Sequence, residues 1–342
     1  MSTQTQTVEY IEVQGAPNIP GLRFRRFQGM EDIPAMVGVL NLTDPADGSD
    51  RVATIESLTK TYENLRNSDA ANDVVMIEVN GELIGYTRDL WHVELDGSRM
   101  YSHFGFLIPE WRDKGIGAAM IKHNEAHLLE LAATHADTGP RWYNTGTLNN
   151  QDSLRRLLEN EGYEKVRYGY EMVRPDLENI PDISMPEGLE VRPARPEDFP
   201  AIWEAEIEAF RDHWGSEAPE EGDYERWKND VMFQPEIWKV AWDKNTNEVA
   251  GMVRGFIEHD ENQHHNRKRG YTEYISVRRP WRRIGLAKAL MARSMQLQKE
   301  LGMTETALGL DAQNPNGALD LYKSMGFMVT RTDISYRKPM PL

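Results

Sequence analysis

The chain has 342 residues and no cysteine, and its 55 acidic side chains against 39 Lys and Arg give a net charge of −16. That length supports about two cores of ordinary domain size, and the missing cysteines exclude a disulfide framework, a thiol nucleophile, a Cys-ligated zinc and an iron–sulfur cluster. The acidic balance argues against nucleic acid and suits a cationic or amine-bearing partner, or else serves only solubility.

Residues 1–20 read as a polar N-terminal segment without the basic start and apolar run of a signal peptide. No stretch approaches the length of a membrane span, so the sequence predicts a cytoplasmic protein with no membrane partner. The run Gly21-Leu-Arg-Phe-Arg-Arg-Phe predicts a strand, followed by a helix at Glu31-Asp-Ile-Pro-Ala. Asn80-Gly81 between the apolar runs Val74 to Val79 and Leu83 to Tyr86 predicts a two-residue hairpin. Next comes Trp111-Arg112-Asp-Lys114-Gly115-Ile-Gly117, then Asn150 and Gly162-Tyr163. Val173 to Glu187, with prolines at 175, 181 and 186, predicts an exposed linker.

After the linker the landmarks return in the same order. Gly188-Leu-Glu-Val-Arg-Pro-Ala leads to Glu197-Asp-Phe-Pro-Ala; Trp281-Arg282-Arg283-Ile284-Gly285-Leu286-Ala287 follows; Asn314 precedes Gly326-Phe327. The nearly constant offset predicts two tandem domains, residues 21–172 and 188–342. Lys244 to Asn247 takes the hairpin's place between Trp238 to Trp242 and Val249 to Met252. Leu286, Leu290, Leu297 and Leu301 recur at helical spacing until Gly302 stops the helix. Asn314-Pro315 predicts a cap and first turn of another helix. In each half, this order of strands and helices gives an α/β (α+β) fold, a mixed, largely antiparallel sheet flanked by helices.

The chemistry concentrates where Tyr271, Glu273, Ile275 and Val277 alternate on one face of a predicted strand that runs through Arg278, Arg279, Arg282 and Arg283 into the turn at Gly285. Free amides and the dipole of a helix N-terminus favour an anion at such a turn. A tight turn with a solvated basic face is the alternative. His103 in the first half and Glu273 in the second are titratable groups among apolar neighbours, each a candidate base or, for Glu273, a partner for the arginines. His259, His264 and His265 lie in a charged connection without metal-ligand spacing, and no metal is expected.

At these residues the sequence resembles the GCN5-related N-acetyltransferase (GNAT) superfamily in tandem form. Arg112-x-x-Gly115-x-Gly117 and Arg282-x-x-Gly285-x-Ala287 match its turn, and Asn314 to Phe327 is similar to its closing segment. The resemblance implies acetyl-CoA as cosubstrate, held by Arg282, Arg283, Ile284, Gly285, Leu286 and Ala287, by strand residues Ile275 and Val277, by Asn314, and in the first half by Arg112, Lys114, Gly115 and Gly117. It implies Tyr322 as the acid that protonates the leaving thiolate, and Leu158 takes the place of Tyr322 in the first half; Glu273 is the candidate base by its own place on the strand. The resemblance also implies an acceptor wall at Glu204 to Gly215, with Phe210, Asp212, His213 and Trp214, where Trp203, Phe210 and Trp214 read equally as a buried stripe. The expected activity is acetyl transfer to an amine, with a small molecule as acceptor; a CoA-binding sensor and a protein N-acetyltransferase are the alternatives. Tyr322 could also be a core aromatic. The oligomeric state is not legible.

Overall fold

The computed structural model describes residues 8–341 apart from 137, 231, 315 and 316, and the chain divides into two units, Met1–Val166 with Ile334–Leu342 and Arg167–Asp333. In the first, residues 8–20 belong to the fold. Tyr10–Ile11 (β1) pairs antiparallel with Leu22–Arg26 (β2), and Val13 is buried with Phe24 and Ile116. Arg25 of β2 is buried and held by Asp32 (2.7 Å) and Glu78 (2.6 Å), which fixes the entry to helix Ile33–Asp47 (α1). That helix buries Ile33, Met36, Val39 and Leu40 and stops at Gly48, whose φ of 70° is the left-handed conformation glycine adopts without strain. Ile55–Glu63 (α2) and Ala70–Asp73 (α3) follow.

The hairpin falls at Asn80-Gly81, with φ of 52° and 84°, joining Val74–Val79 (β3) to Glu82–Val93 (β4) in the register Val79 to Glu82. Arg99–Leu107 (β5) is antiparallel to β4 along its length. Ile116–Thr134 (α4) leads to Arg141–Leu148 (β6), which is parallel to β5 only from Arg99–Arg141 to Ser102–Asn144. Beyond that the two strands diverge, and Gly105 is exposed in mid-strand. Asp152–Asn160 (α5) buries Leu158.

Strand Glu164–Arg174 (β7) starts the second unit, its residues Gly169 to Arg174 pairing with Asp311 to Thr306. The predicted boundaries at 172 and 188 therefore miss the division of the chain: residues 167–174 work in the second unit and 334–342 in the first. Residues 173–187 are also no exposed linker. Leu177 is 2% exposed, and Ile180, Ile183 and Met185 pack on the same core, an apolar spacing that outweighs the prolines between them. Arg174 donates to the carbonyls of Asp176, Asn179 and Met325, anchoring the segment.

The remaining elements are Leu189–Arg192 (β8), Phe199–Phe210 (α6), Asp223–Asn229 (α7), Lys239–Asp243 (β9), Val249–Val253 (β10), His259–His264 (α8), Arg269–Tyr271 (β11), Ser276–Val277 (β12), Leu286–Glu300 (α9), Glu305–Asp311 (β13), Ala318–Ser324 (α10) and Met328–Pro339 (β14). Strands β8, β9, β10 and β12 form an antiparallel sheet, while β11 pairs parallel with β13. Helix α9 buries Leu286, Leu290, Met291 and Met295. Helix α10 starts at Ala318 with Gly317 at its cap position, beyond Asn314, whose amide donates to the Asp311 carbonyl (3.0 Å); Pro315 lies outside the described residues.

Candidate active site

The expected single strand from Tyr271 to Val277 is broken. Its first part, β11, pairs with β13, and its last part, β12, pairs with β10. Between them Tyr274 takes φ of 49°, sparsely populated for a bulky residue, and turns the chain from one neighbour to the other. The amide of Arg278 donates to Ala250 (3.0 Å), so by strand alternation the amides of Val277 and Ile275 point away from β10 into the opening beside β13. The opening is a slot with unpaired backbone along one wall.

At the end of that wall the turn and helix α9 supply further amides. Ala289 makes the first intrahelical bond, to Gly285 (3.1 Å), which leaves the amides of Leu286, Ala287 and Lys288 without helical acceptors. Arg283 (φ 63°) and Gly285 (φ 89°) are left-handed, and a Cβ on Gly285 would meet nothing within 4 Å. Arg283 and Ile284 are exposed beside it. Arg282, expected at a diphosphate, turns inward: its Nε donates to Val277 (2.9 Å), Nη2 to Ala209 (3.2 Å) and Nη1 pairs with Asp212 (3.0 Å). A guanidinium satisfied on all three nitrogens staples the strand to helix α6, and the amides remain as anion donors. Arg279 also pairs with Asp212, and the two arginines, through the hydrogen bond from Arg279 first, hold its carboxyl at about 2.

Glu273, just before the bulge, accepts from the Gly309 amide (2.6 Å) across the opening and not from any of the arginines. Burial pushes its carboxyl up to about 7 against the pull of the Gly309 and Tyr274 amides. Tyr322 packs its ring in the core with Phe327, as the bland expectation had it. Its hydroxyl is nonetheless within electrostatic reach of Glu273: burial first, and that carboxylate second, raise it well above the usual tyrosine range. Glu273, between β11 and β12, and Tyr322, on α10, are thus electrostatically coupled.

The first unit repeats the turn with different side chains beside it. Asp113 (φ 58°) and Gly115 (φ 88°) reproduce the backbone of Arg283 and Gly285, and Arg112 likewise donates to Leu107 (2.8 Å) and pairs with Asp47 (2.6 Å). Lys114 lies over the Trp111 ring. Gly117 makes room for Leu157 of α5, 3.2 Å from where its Cβ would be, so its small size serves helix packing and not a ligand. His103 is buried, bonded to the Tyr163 hydroxyl (2.7 Å) and driven down to about 4 by burial and by Lys338, so it is neutral near pH 7. Leu158 is 1% exposed.

Of the acceptor wall, Trp203 joins the aromatic cluster of Tyr224 and Trp227, whereas Trp214 leaves the stripe: it is 39% exposed, with Arg167 over its ring. His259, His264 and His265 are exposed on and just after α8. Sequence reasoning missed Arg254, which is buried, lies 4.0 Å from the Tyr274 ring, donates its amide to the backbone carbonyl of Glu273 (3.0 Å) and bonds Glu206 (2.9 Å). A charged residue closing the apolar run of β10 was the available signal.

Residues 199–327 match the acetyltransferase (GNAT) family. Over the full length the chain is similar to the mycothiol acetyltransferase of Streptomyces bingchenggensis, 27% identical over 92% of this chain and 96% of that one. The fold is that of a GCN5-related N-acetyltransferase from Sphaerobacter thermophilus (24% identity, TM-score 0.73, 94% and 96% covered). It is also that of a tandem GNAT protein from the clavulanic acid biosynthesis pathway (13% identity, TM-score 0.67, 94% and 99% covered). The family match falls on the second half of the chain, the half that carries Glu273, the turn at Gly285 and Tyr322.

Proposed function

We propose that the second unit acetylates the amine of a small molecule by direct attack on acetyl-CoA. The observation that carries this is the broken strand between an open amide turn and the Glu273–Tyr322 pair. The diphosphate fits the amides after Gly285, where no side chain stands in the way. The pantetheine fits beside Ile275 and Val277, whose amides need acceptors, as an added strand would.

Glu273 takes a proton from the acceptor ammonium, directly or through one water, and frees the nitrogen lone pair. The lone pair attacks the thioester carbon, the C–N bond forms, and the carbonyl electrons move to oxygen, where a backbone amide of the slot, Val277 or Ile275, stabilises the oxyanion. The C–S bond then breaks, Tyr322 gives its hydroxyl proton to the thiolate, and the second proton that the attacking nitrogen sheds as the amide forms restores the tyrosine hydroxyl. The first unit, with His103 bound to Tyr163 and Leu158 at the acid position, supports the fold without turning over.

Relatives named for mycothiol put a mycothiol-type small molecule first among acceptors to try. The test is release of CoA thiol over a panel of small amines, with mass spectrometry of the products. A product heavier by one acetyl group, lost in Tyr322→Phe, is expected; acetylation confined to protein substrates, or binding without thiol release from any amine, overturns the proposal.

A further inference from the structure

The two units differ on the sheet face covered by α1 in one and α6 in the other. In the second, Arg254 lies over Tyr274 (4.0 Å), Trp238 (5.2 Å) and Trp227 (5.3 Å), and Glu206 of α6 neutralises it. In the first, Arg88 of β4 stands opposite Phe104 of β5, lies over the Phe104 ring (4.8 Å) and over Tyr62 of α2 (5.5 Å), and so repeats the aromatic setting. The neutralising carboxylate is missing. Among the described residues Arg88 has no ion pair, and its Nε is buried without a hydrogen-bond partner. The buried series Met36, Val39, Leu40, Thr43 of α1 matches Ile202, Ala205, Glu206, Ala209 of α6, which puts Leu40 where the second unit carries Glu206.

A guanidinium held between two rings keeps its planar edge of N–H donors fixed, the geometry that accepts a carboxylate or phosphate group in bidentate fashion. Left half-buried without a counter-charge, it is destabilised until an anion arrives. The neighbouring cation does not compete for that role, because Arg51, over Phe106, is already paired with Asp44 (2.6 Å). Access exists because Arg88 and Phe104, which share a face of the sheet, are each only partly buried. We propose that the first unit binds a small oxyanion, a carboxylate or phosphate group of a metabolite, on Arg88 between Tyr62 and Phe104. This stands independently of acetyl transfer in the second unit.

The test uses the full chain saturated with CoA, which occupies diphosphate turns and leaves Arg88 as the site in question. Inorganic phosphate and succinate are titrated separately by calorimetry, and the stronger of the two identifies the group. Saturable binding of at least one is expected, weakened roughly tenfold or more in Arg88→Gln, as loss of a charged hydrogen bond implies. Leu40→Glu, which keeps the guanidinium and gives it the partner found in the second unit, should weaken binding similarly and decides the matter if Arg88→Gln does not fold. Failure of both probes to saturate, or affinity unchanged in the folded variants, overturns the proposal.

Discussion

A carboxylate serves as a base near neutral pH only if its surroundings bring its affinity for protons toward that of the medium. Burial does this to Glu273, lifting it to about 7 while two amides keep the ionised form accessible. The proposed role as base requires ionisation, so kcat/KM should climb about tenfold per pH unit below 7 and level off above it. Glu273→Gln should flatten that limb and lower the rate by roughly 10²-fold or more; a pH–rate profile with the same limb in the variant assigns it to another group. The same shift has a thermodynamic sign. Because the folded value lies above the ordinary 4.5, the folded state holds more protons across that interval, so this residue's contribution to stability is full below about 4.5 and is lost as pH rises through 7. Melting curves of wild type and Glu273→Gln should differ in that window. For Tyr322, phenylalanine keeps the ring among Leu290, Met325 and Phe327 and removes only the proton. Tyr322→Phe should keep its melting temperature and acetyl-CoA affinity while kcat falls roughly 10²-fold or more, and wild-type kcat would leave the ring as core alone. The sequence singled out both residues, Glu273 by its place on an alternating strand and Tyr322 by its spacing from Gly326. Arg254 and Glu206 were not, because nothing in a single sequence shows that a charge just past β10 and another on α6 meet near Tyr274.

Turns and strands carry the next level of specificity, because a turn fixes where amides point whatever its side chains do. Gly285 has a φ of 89° with open space around its missing Cβ, so alanine meets no clash but adopts a left-handed backbone at a cost of roughly 1–2 kcal/mol. Gly285→Ala should fold with a slightly lowered melting temperature and a raised KM for acetyl-CoA, and Gly285→Asp, which adds a negative charge at the anion site, should abolish measurable CoA binding there. Calorimetry on folded Gly285→Asp with unchanged affinity would place the diphosphate elsewhere. Arg282 behaves differently, since its three nitrogens are committed to Val277, Ala209 and Asp212. Its substitution by glutamine should lower the melting temperature of the second unit, with the same loss in Asp212→Asn. At this scale the hairpin was readable because Asn80-Gly81 is itself the local cause of the fold. The break at Tyr274 was hidden: alternation from Tyr271 to Val277 is what an unbroken strand would show, and the bulge arises from pairing choices made by β10 and β13.

At the scale of the chain, the two halves share a plan and differ in the side chains beside their turns. The repeated turns at Gly115 and Gly285 match in backbone, yet only the second stands beside a carboxylate shifted to about 7 and a protonated tyrosine. Disabling the first turn with Gly115→Asp should therefore leave most turnover intact, while Gly285→Asp removes it; equal losses in the two variants would make both units catalytic. The repeat itself was legible in sequence, but the assignment of the last strand was not, because residues 334–342 sit at the end of the second half and give their apolar side chains to the first unit. Ile334 (2% exposed), Tyr336 (0%) and Met340 (6%) are buried there among Tyr101, Leu128, Tyr143 and Leu158. Tyr336 also donates to Glu159 (3.0 Å), and Lys338 pairs with Glu125 (2.8 Å). Each of these apolar side chains contributes about 1.5–3 kcal/mol by burial, so together they approach the roughly 5–15 kcal/mol by which a whole domain is stable. A chain ending at residue 333 should thus lose hydrogen-exchange protection across α4, β6 and α5 while residues 186–311 keep theirs, because the deleted strand fills the first core and leaves the second core's own residues in place. Protection lost first in the second unit would mean that the closing strand supports the half of the chain that encodes it.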